Sequence, residues 1–296
     1  MSEEAPAGIR ERLFVALQHV IPQHFLSHLV YRLARSRSPG LKNRLIQAFV
    51  RSYRPEMREA AEPDPLRYAS FNDFFTRSLR AGSRPVDPAA RSVVSPVDGL
   101  ISQIGHLEES RIVQAKGHDY SVAELLGLEA GSSWPQRFAG GSFTTLYLAP
   151  FDYHRVHMPL EGTLRAAWYV PGRLFSVNAV TAASVPRLFA RNERIICLFE
   201  GRTAPFAVVL VGALFVGSMS TVWHGEITPR SPPQRLDLPL QSTHAPLHLS
   251  KGAEMGRFNM GSTVILLLPP GASTWLPEWR SGERVLVGQV LAYLGA

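Results

Sequence analysis

Hydrophobic positions divide the chain into two regions with different periods. In the first 60 residues, one set of apolar side chains has the spacing of a single helical face: Leu26, Leu29, Val30 and Leu33. A second set follows a Ser-Pro-Gly break at residues 38–40: Leu41, Leu45, Ile46 and Phe49. The pattern predicts amphipathic helices, and a proline-rich connector at residues 62–65 ends this region.

Beyond the connector, the pattern changes to that of a β-rich protein. The segment from Phe71 to Arg77 predicts a short helix that inserts aromatic side chains into the core. Short apolar runs separated by glycine and proline then predict strands: residues 99–104, 143–148, 164–170, 195–199, 207–211, 264–268 and 285–292. One further helical segment is expected near residues 177–189. We therefore expect an α+β fold, with helices over residues 1–62 and a barrel-like or sandwich-like β-rich core over residues 63–296.

The longest uncharged segment runs from Thr203 to Trp223. Its length is close to the roughly 20 residues that a membrane-spanning helix needs. However, Pro205 and Gly212 interrupt it, and its apolar runs are short and β-branched. Two buried strands joined near Gly212 fit this pattern better than a transmembrane helix.

Composition excludes several classes of protein. Hydrophobic residues make up 45% of the chain, which is enough for a sizeable core and excludes disorder. Cys197 is the single cysteine, so a disulfide scaffold and a multi-cysteine zinc site are excluded, and a reducing compartment is expected. The net charge is +7, and the first 60 residues contribute +5 of it through ten basic and five acidic side chains.

This basic, amphipathic N-terminal region has two interpretations. Basic helices with an apolar stripe can lie in the membrane interface, where anionic head groups attract them. Alternatively, the helices form a lid that packs its stripe against the core and leaves the arginines in solvent. Nucleic-acid binding is not favoured, because no recognised motif or aromatic stacking pattern accompanies the basic residues.

Three clusters contain residues that could take part in catalysis or metal binding. Asp98 precedes a glycine in Ser-Pro-Val-Asp-Gly, a common turn pattern. His154 and His157 lie in Tyr-His-Arg-Val-His-Met-Pro, and in an extended segment they would point to opposite faces. Ser262 follows Gly261 and precedes a buried apolar run. The spacing of the two histidines is weak evidence for a metal, and no metal site is expected.

Taken together, the three clusters suggest a single site. Asp98, His157 and Ser262 occur in an order known from serine hydrolases, whose triads are recognised by role and not by position. The usual hydrolase elbow, Gly-x-Ser-x-Gly, is missing. A Gly-Ser bond allows a different reaction, in which the serine hydroxyl attacks the carbonyl of its own preceding residue and forms an ester. Elimination and hydrolysis then leave a pyruvoyl group, a ketone that can act as an electron sink.

Four motifs carry a resemblance to a known family. They are Phe71-x-x-Phe74-Phe75-x-Arg77, Ser95-Pro96-Val97-Asp98-Gly99, Tyr153-His154-Arg155-Val156-His157-Met158-Pro159 and Phe258-Asn259-Met260-Gly261-Ser262-Thr263-Val264. In order and spacing, over nearly the whole chain, they resemble the bacterial phosphatidylserine decarboxylases. Met260 and Val97 stand where the family commonly has leucine and alanine, and both changes are conservative.

The resemblance implies a mechanism. Asp98, His157 and Ser262 would form the self-cleavage triad, with His157 as the base and Asp98 fixing its tautomer. Cleavage between Gly261 and Ser262 would give a large subunit, residues 1–261, and a small subunit, residues 262–296. Ser262 would become the covalent pyruvoyl cofactor, on which the substrate amine forms a Schiff base. His154 would serve the decarboxylation that yields phosphatidylethanolamine and carbon dioxide.

The resemblance also implies partners and a location. The substrate, phosphatidylserine, lies in the bilayer, so the basic helices would dock peripherally on the anionic cytoplasmic face of the inner membrane. Pairing of the two-subunit molecules into a dimer is a further expectation, and nucleic acid is not an expected partner. Two rivals remain: a serine peptidase or esterase that uses the same triad, and a non-catalytic carrier-like or membrane-scaffold module.

Overall fold

Three helices form the N-terminal part of the protein: α1 (Ile9–Val20), α2 (Gln23–Ala34) and α3 (Pro39–Tyr53). A computed structural model describes residues 8–129, 131–215, 218–229, 233–238 and 246–295. Pro39 suits the first turn of α3, where its missing N–H is not needed. The two predicted helices are confirmed, and α1 precedes them. Glu3 and Glu4, which contribute to the predicted charge balance, lie outside the described residues.

Short helices and many strands follow. The helices are α4 (Phe71–Phe75), α5 (Val122–Leu126), α6 (Ser133–Arg137), α7 (Ala179–Ser184) and α8 (Leu188–Arg191), with a 3-10 turn at Pro65–Arg67. The strands up to the middle of the chain are β1 (Ser92–Val94), β2 (Gly99–His106), β3 (Arg111–Ala115), β4 (His118–Ser121), β5 (Ser142–Leu148), β6 (Arg155–His157), β7 (Gly162–Val170), β8 (Arg194–Gly201) and β9 (Pro205–Val211). The remaining strands are β10 (Met219–Thr221), β11 (Gly225–Ile227), β12 (Leu236–Asp237), β13 (His248–Leu249), β14 (Glu254–Phe258), β15 (Ser262–Leu268), β16 (Ser273–Trp275), β17 (Arg284–Val285) and β18 (Val290–Leu294).

One large antiparallel sheet organises the core. Within the described residues its strand order is β12-β7-β8-β9-β15-β5-β2-β17, and β13 also pairs with β7. Strand β15 lies in the middle, with β5 on one side and β9 on the other. Its seven residues are all buried, which explains their continuous apolar run.

The predicted α+β class is confirmed, but the sheet is not a closed barrel. Among the described strands, β12 and β17 form its two separate edges. The apolar run at residues 285–292 is not one strand, because a turn with Gly288 at φ 87° separates β17 from β18. The expected helix near residues 177–189 is two short helices, α7 and α8.

Smaller sheets complete the body around the large one. Strands β11, β10, β14 and β6 pair in that order, and β6 carries His157. Strand β18 lies between β1 and β16. The uncharged segment from Thr203 to Trp223 contains strands β9 and β10, as predicted, although Val216 and Gly217 within it lie outside the described residues. None of the helices that the structure describes is both long enough and apolar enough to cross a bilayer.

The N-terminal helices pack in two different ways. Helix α3 buries Ile46 completely, and Phe49 contacts Phe71, Phe74 and Phe75 with ring centroids 5.4 to 5.9 Å apart. This part of the apolar pattern therefore packs on the core, and α4 forms the short aromatic helix that the sequence predicts. Helix α2 leaves Leu29 and Leu33 exposed, so its apolar stripe does not form the inner face of a lid.

Candidate active site

Ser262 is the first residue of β15, where it pairs with Leu148 at the end of β5. Its side chain is buried, and its hydroxyl has no hydrogen-bond partner among the residues that the structure describes. Gly261 and Ser262 line a cavity of about 230 Å³. Such an unpartnered hydroxyl beside a cavity is free to react, because no hydrogen bond has to be broken first.

The cavity is mainly apolar and lies between the β core and the N-terminal helices. Helix α3 contributes Phe49 and Tyr53, and α4 contributes Phe75. Two loops complete the wall, one with Ser176 and Val177 and the other with residues 213–215. The predicted N-terminal region thus forms part of the site itself.

Asp98 lies in the turn before β2 and is almost completely buried. Its Oδ1 accepts hydrogen bonds from Arg84 Nε at 2.9 Å and from the backbone N–H of Val287 at 2.8 Å. Its Oδ2 accepts from Arg84 Nη2 at 2.6 Å. Packing requires glycine at the next position, because a Cβ on Gly99 would lie 2.4 Å from the carbonyl oxygen of Tyr147. The Asp-Gly pair therefore allows β2 to approach β5 closely.

His157 has a partner on each ring nitrogen. Nδ1 lies 2.8 Å from the carbonyl oxygen of Gly252, and Nε2 lies 3.0 Å from the hydroxyl of Tyr153. A carbonyl oxygen can only accept, so Nδ1 carries the proton and Nε2 holds the lone pair. Burial lowers the pKa of His157 and favours this neutral form. Burial also raises the pKa of Tyr153, so the phenol stays protonated and donates to Nε2.

The turn that carries Asp98 lies beside His157. The backbone N–H of His157 donates to the carbonyl of Pro96 at 2.8 Å, and the charge of Asp98 acts on the imidazole. The tautomer, however, is fixed by the Gly252 carbonyl and not by Asp98, whose carboxylate is held by Arg84. No hydrogen bond found among the described residues joins Asp98, His157 and Ser262 directly.

His154 lies on the opposite side of this segment and is completely buried. Its ring stacks on Phe75 with centroids 4.1 Å apart, and Nε2 lies 3.4 Å from the carbonyl oxygen of Pro150. Nδ1 has no hydrogen-bond partner in the described part of the chain. Burial, and then the charge of Arg77, lower its pKa to about 3, so the ring is neutral at physiological pH. Because Phe75 and Pro150 line the cavity, His154 lies directly behind its wall.

Several residues of this site were not found from the sequence. Arg84 clamps Asp98, but it belongs to no motif that could have singled it out. Tyr153 and Arg77 belong to the quoted motifs, although their contacts could not be inferred. Arg77 is buried, and only its Nη2 has a partner, the carbonyl of Phe151 at 3.2 Å, whereas Nε and Nη1 have none among the described residues.

The site has the parts of a nucleophilic serine centre: a buried Gly-Ser junction at a cavity, a neutral histidine whose Nε2 accepts from Tyr153, and a clamped aspartate. Comparison with known proteins identifies the family to which the chain belongs. The family model described as phosphatidylserine decarboxylase matches residues 71–293, and a second model, described as PSD, matches residues 13–54.

Curated relatives give the same result. The phosphatidylserine decarboxylase proenzyme of Bordetella pertussis is 52% identical over 283 residues, which cover 96% of this chain and 95% of the relative. The proenzymes of Stutzerimonas stutzeri and Azotobacter vinelandii are each 50% identical and cover 96% and 94% of this chain, and 95% and 98% of their own lengths. The chain belongs to the phosphatidylserine decarboxylase family. The predictions of this family and of a carboxy-lyase enzyme are confirmed.

Proposed function

We propose that this chain is a self-processing proenzyme that converts phosphatidylserine to phosphatidylethanolamine and carbon dioxide, with a pyruvoyl group formed from Ser262. The observation that carries the proposal is the Gly261–Ser262 junction: the serine hydroxyl is buried, has no hydrogen-bond partner in the described part of the chain, and forms part of a cavity wall. The name proenzyme, which the relatives share, supports processing of the chain.

Self-cleavage begins when Ser262 Oγ attacks the carbonyl carbon of Gly261. The amide C–N bond breaks, an ester forms, and the former amide nitrogen becomes the free amine of Ser262. Elimination then breaks the Cβ–Oγ bond, which releases Gly261 as a carboxylate and leaves a dehydroalanine. Addition of water to this residue releases ammonia and leaves the pyruvoyl group at the new N-terminus.

His157 serves as the base for this attack. Its Nδ1 proton is held by the Gly252 carbonyl, so Nε2 is the atom that receives the proton of Ser262. The hydroxyl of Tyr153 donates a hydrogen bond to Nε2 at 3.0 Å, and this bond must break before Nε2 can accept the proton of Ser262. Asp98 stabilises the resulting imidazolium through its charge, while Arg84 keeps the carboxylate in place.

The residues around Ser262 fit the group that would form there. A pyruvoyl ketone at this position would supply the electron sink that decarboxylation requires. The apolar cavity walls exclude water from the reacting centre. His154, neutral and buried behind Phe75, is the residue we assign to the decarboxylation step, where its Nδ1, which has no partner among the described residues, can accept a hydrogen bond.

The N-terminal helices dock this enzyme on a membrane. Apolar side chains project from α1 and α2 into solvent: Ile9, Leu13, Leu17, Val20, Phe25 and Leu29 are each at least 47% exposed. Arginines such as Arg10, Arg12 and Arg32 lie on the same helices. Together they suit peripheral binding to an anionic surface, which we place at the cytoplasmic face of the inner membrane. The diacyl substrate lies in that surface.

Intact mass and a denaturing gel test this function. We expect the wild-type protein to separate into fragments 1–261 and 262–296, the smaller one lacking a free N-terminal amine, and to release carbon dioxide from phosphatidylserine. Ser262→Ala should stay uncut and inactive. His157→Ala should also stay uncut, whereas His154→Ala should be cut but lose turnover. An active wild-type chain with an intact, fluorophosphonate-reactive Ser262 would refute the proposal and favour a hydrolase.

A further inference from the structure

Helices α1 and α2 are amphipathic in the reverse of the usual sense. Globular proteins normally turn the apolar face of such a helix inward. Here three buried side chains are polar: Gln18, Gln23 and Ser27 are 1%, 3% and 1% exposed, and Ala34 at the end of α2 is buried with them. Most large apolar side chains of the same helices are exposed, with Leu13 64% and Phe25 68% exposed, whereas Val15 packs partly against the core. Hydrogen bonding must therefore account for much of the attachment of these helices to the body.

The two glutamines bind one loop of the body. Gln18 Oε1 accepts the backbone N–H of Ser176 at 2.7 Å, and Gln18 Nε2 donates to the hydroxyl of Thr181 at 3.3 Å. Gln23 Oε1 accepts the backbone N–H of Leu174 at 2.9 Å. Gln23 Nε2 donates to the carbonyl of Gln18 at 2.7 Å, which joins the two helices to each other.

Ser27 binds a second loop. Its hydroxyl accepts the backbone N–H of Phe215 at 3.2 Å. These two loops, with Ser176 and Val177 in one and residues 213–215 in the other, line the same cavity as α3 and α4. Side chains from α1 and α2 therefore satisfy backbone groups of these loops that no described strand satisfies.

We propose that Gln18, Gln23 and Ser27 are positioning residues for decarboxylation: they fix the two loops that shape the substrate cavity beside Ser262. This inference rests on the proposed function. It assigns different tasks to the two faces of the same helices, because the outer apolar face meets the membrane and the inner polar face sets the geometry of the cavity.

These contacts explain why apolar side chains in place of Gln18, Gln23 or Ser27 could not hold the two loops. A leucine at position 18 would keep the volume of the side chain but leave the N–H of Ser176 buried without an acceptor. Burying an unpaired backbone group is costly, so the loop would move to reach water. The cavity wall would then lose its shape, whereas the outer face of α1 and the Gly261–Ser262 junction would keep theirs.

The test compares Gln18→Leu with wild type in three measurements on the full-length protein. They are fragment formation by intact mass, sedimentation with vesicles of equimolar phosphatidylglycerol and phosphatidylcholine, and kcat/KM on dispersed short-chain phosphatidylserine. We expect full cleavage and unchanged vesicle binding, but about a tenfold loss of kcat/KM on the dispersed substrate. Gln136→Leu, at an exposed glutamine on α6, is the matched control and should behave as wild type.

Two further variants separate positioning from folding. Gln18→Glu keeps the acceptor for Ser176 and can accept from the hydroxyl of Thr181, so it should recover part of the turnover that Gln18→Leu loses, while the cost of burying a carboxylate prevents full recovery. Ser27→Ala removes a single hydrogen bond and should lower kcat/KM a few-fold in a fully folded protein.

Unchanged turnover in Gln18→Leu and Ser27→Ala would overturn the inference. Turnover is also measured on vesicles that contain phosphatidylserine. A loss of turnover on these vesicles but not on the dispersed substrate, together with a loss of vesicle binding, would overturn the inference as well, because the residues would then merely hold the docking helices in place. If wild type decarboxylates phosphatidylserine neither in dispersed form nor in vesicles, the proposed function fails and not this assignment alone.

Discussion

Arg84 holds the carboxylate of Asp98 with three hydrogen bonds, from Nε to both oxygens at 2.9 and 3.1 Å and from Nη2 to Oδ2 at 2.6 Å. The two side chains are only 12% and 5% exposed, so this ion pair is shielded from water. Arg84 also binds Glu59, between α3 and the first strand. A predicted catalytic carboxylate is thus fixed by a residue from the segment that joins the helices to the core.

Removal of the Arg84 side chain should lower both the stability of the protein and the rate of self-cleavage. Arg84→Met leaves Asp98 as a buried charge without its cation, and we expect a loss of about 3–5 kcal/mol in the free energy of unfolding. Self-cleavage should slow as well, because the carboxylate is no longer held beside His157. Urea unfolding and time-resolved intact mass measure the two effects. Arg67→Met, which removes an exposed ion pair with Glu62, should change stability by less than about 1 kcal/mol.

The buried His154 should make stability depend on pH. Its pKa is about 3 in the folded protein and near 6.5 when unfolded, so the unfolded chain binds a proton first as the pH falls. The free energy of unfolding should therefore fall by up to about 1.4 kcal/mol per pH unit between these two values. His154→Asn should flatten this slope in urea titrations between about pH 7 and pH 5. An equal slope in wild type and His154→Asn would contradict the burial of a neutral ring, and the exposed His248→Asn serves as control.

Phe49 connects the helical region to the site, because it contacts the aromatic residues of α4 and lines the cavity. We expect Phe49→Ala to lower the free energy of unfolding by about 2 kcal/mol, less than for a fully buried phenylalanine. The widened cavity should also raise KM for phosphatidylserine. Phe25→Ala, at a residue 68% exposed, should leave stability nearly unchanged in the same urea titration. Equal losses in the two variants would show that the aromatic contacts do not fix α3.

Gly261 is not required by packing. Among the described residues, a Cβ at this position would meet only the carbonyl oxygen of Leu148, at 3.8 Å, which is an ordinary contact. Gly261→Ala should therefore fold with nearly wild-type thermal stability. We expect slower fragment formation in intact mass, because a methyl group beside the carbonyl hinders the approach of Ser262 Oγ. If Gly261→Ala fails to fold, the glycine has a structural role that its surroundings do not show.

The exposed apolar side chains of α1 can be tested for membrane binding. Replacing Leu13 and Leu17 together by glutamine removes two side chains, each worth about 1.5–3 kcal/mol when buried in an apolar phase. Binding to anionic vesicles should fall at least about tenfold in co-sedimentation. Val113→Gln changes an exposed apolar residue outside the helices and should bind as wild type does. Equal binding by all three proteins would show that α1 does not contact the bilayer.

The sequence was sufficient where structure depends on local pattern. The spacing of Leu26 to Leu33 and of Leu41 to Phe49 predicts α2 and α3, and the short apolar runs predict most of the central strands. The orientation of α2 could not be predicted, because periodicity shows that a helix has two faces but not which face meets the body. That choice depends on contacts such as Gln18 with Ser176, which are 158 positions apart.

The same limit applies to the site. Motifs singled out Asp98, His154, His157 and Ser262, and the structure places the turn of Asp98 beside His157. Gly252 binds His157 through its backbone carbonyl, which any residue could supply, so its side chain carries no signal. The break between β17 and β18 depends on a tight turn at Gly288, whereas the apolar run by itself suggests a continuous strand.

The position of β15 has a consequence for the proposed cut. A break between Gly261 and Ser262 would fall at the very start of a strand that is hydrogen-bonded on both sides, to β5 and β9. The released peptide would also keep β17 paired with β2, and β18 paired with β1. The small fragment would thus contribute strands to two sheets. Processing would therefore create two new chain ends without creating a free sheet edge. The two fragments could not exchange partners unless the whole protein unfolded.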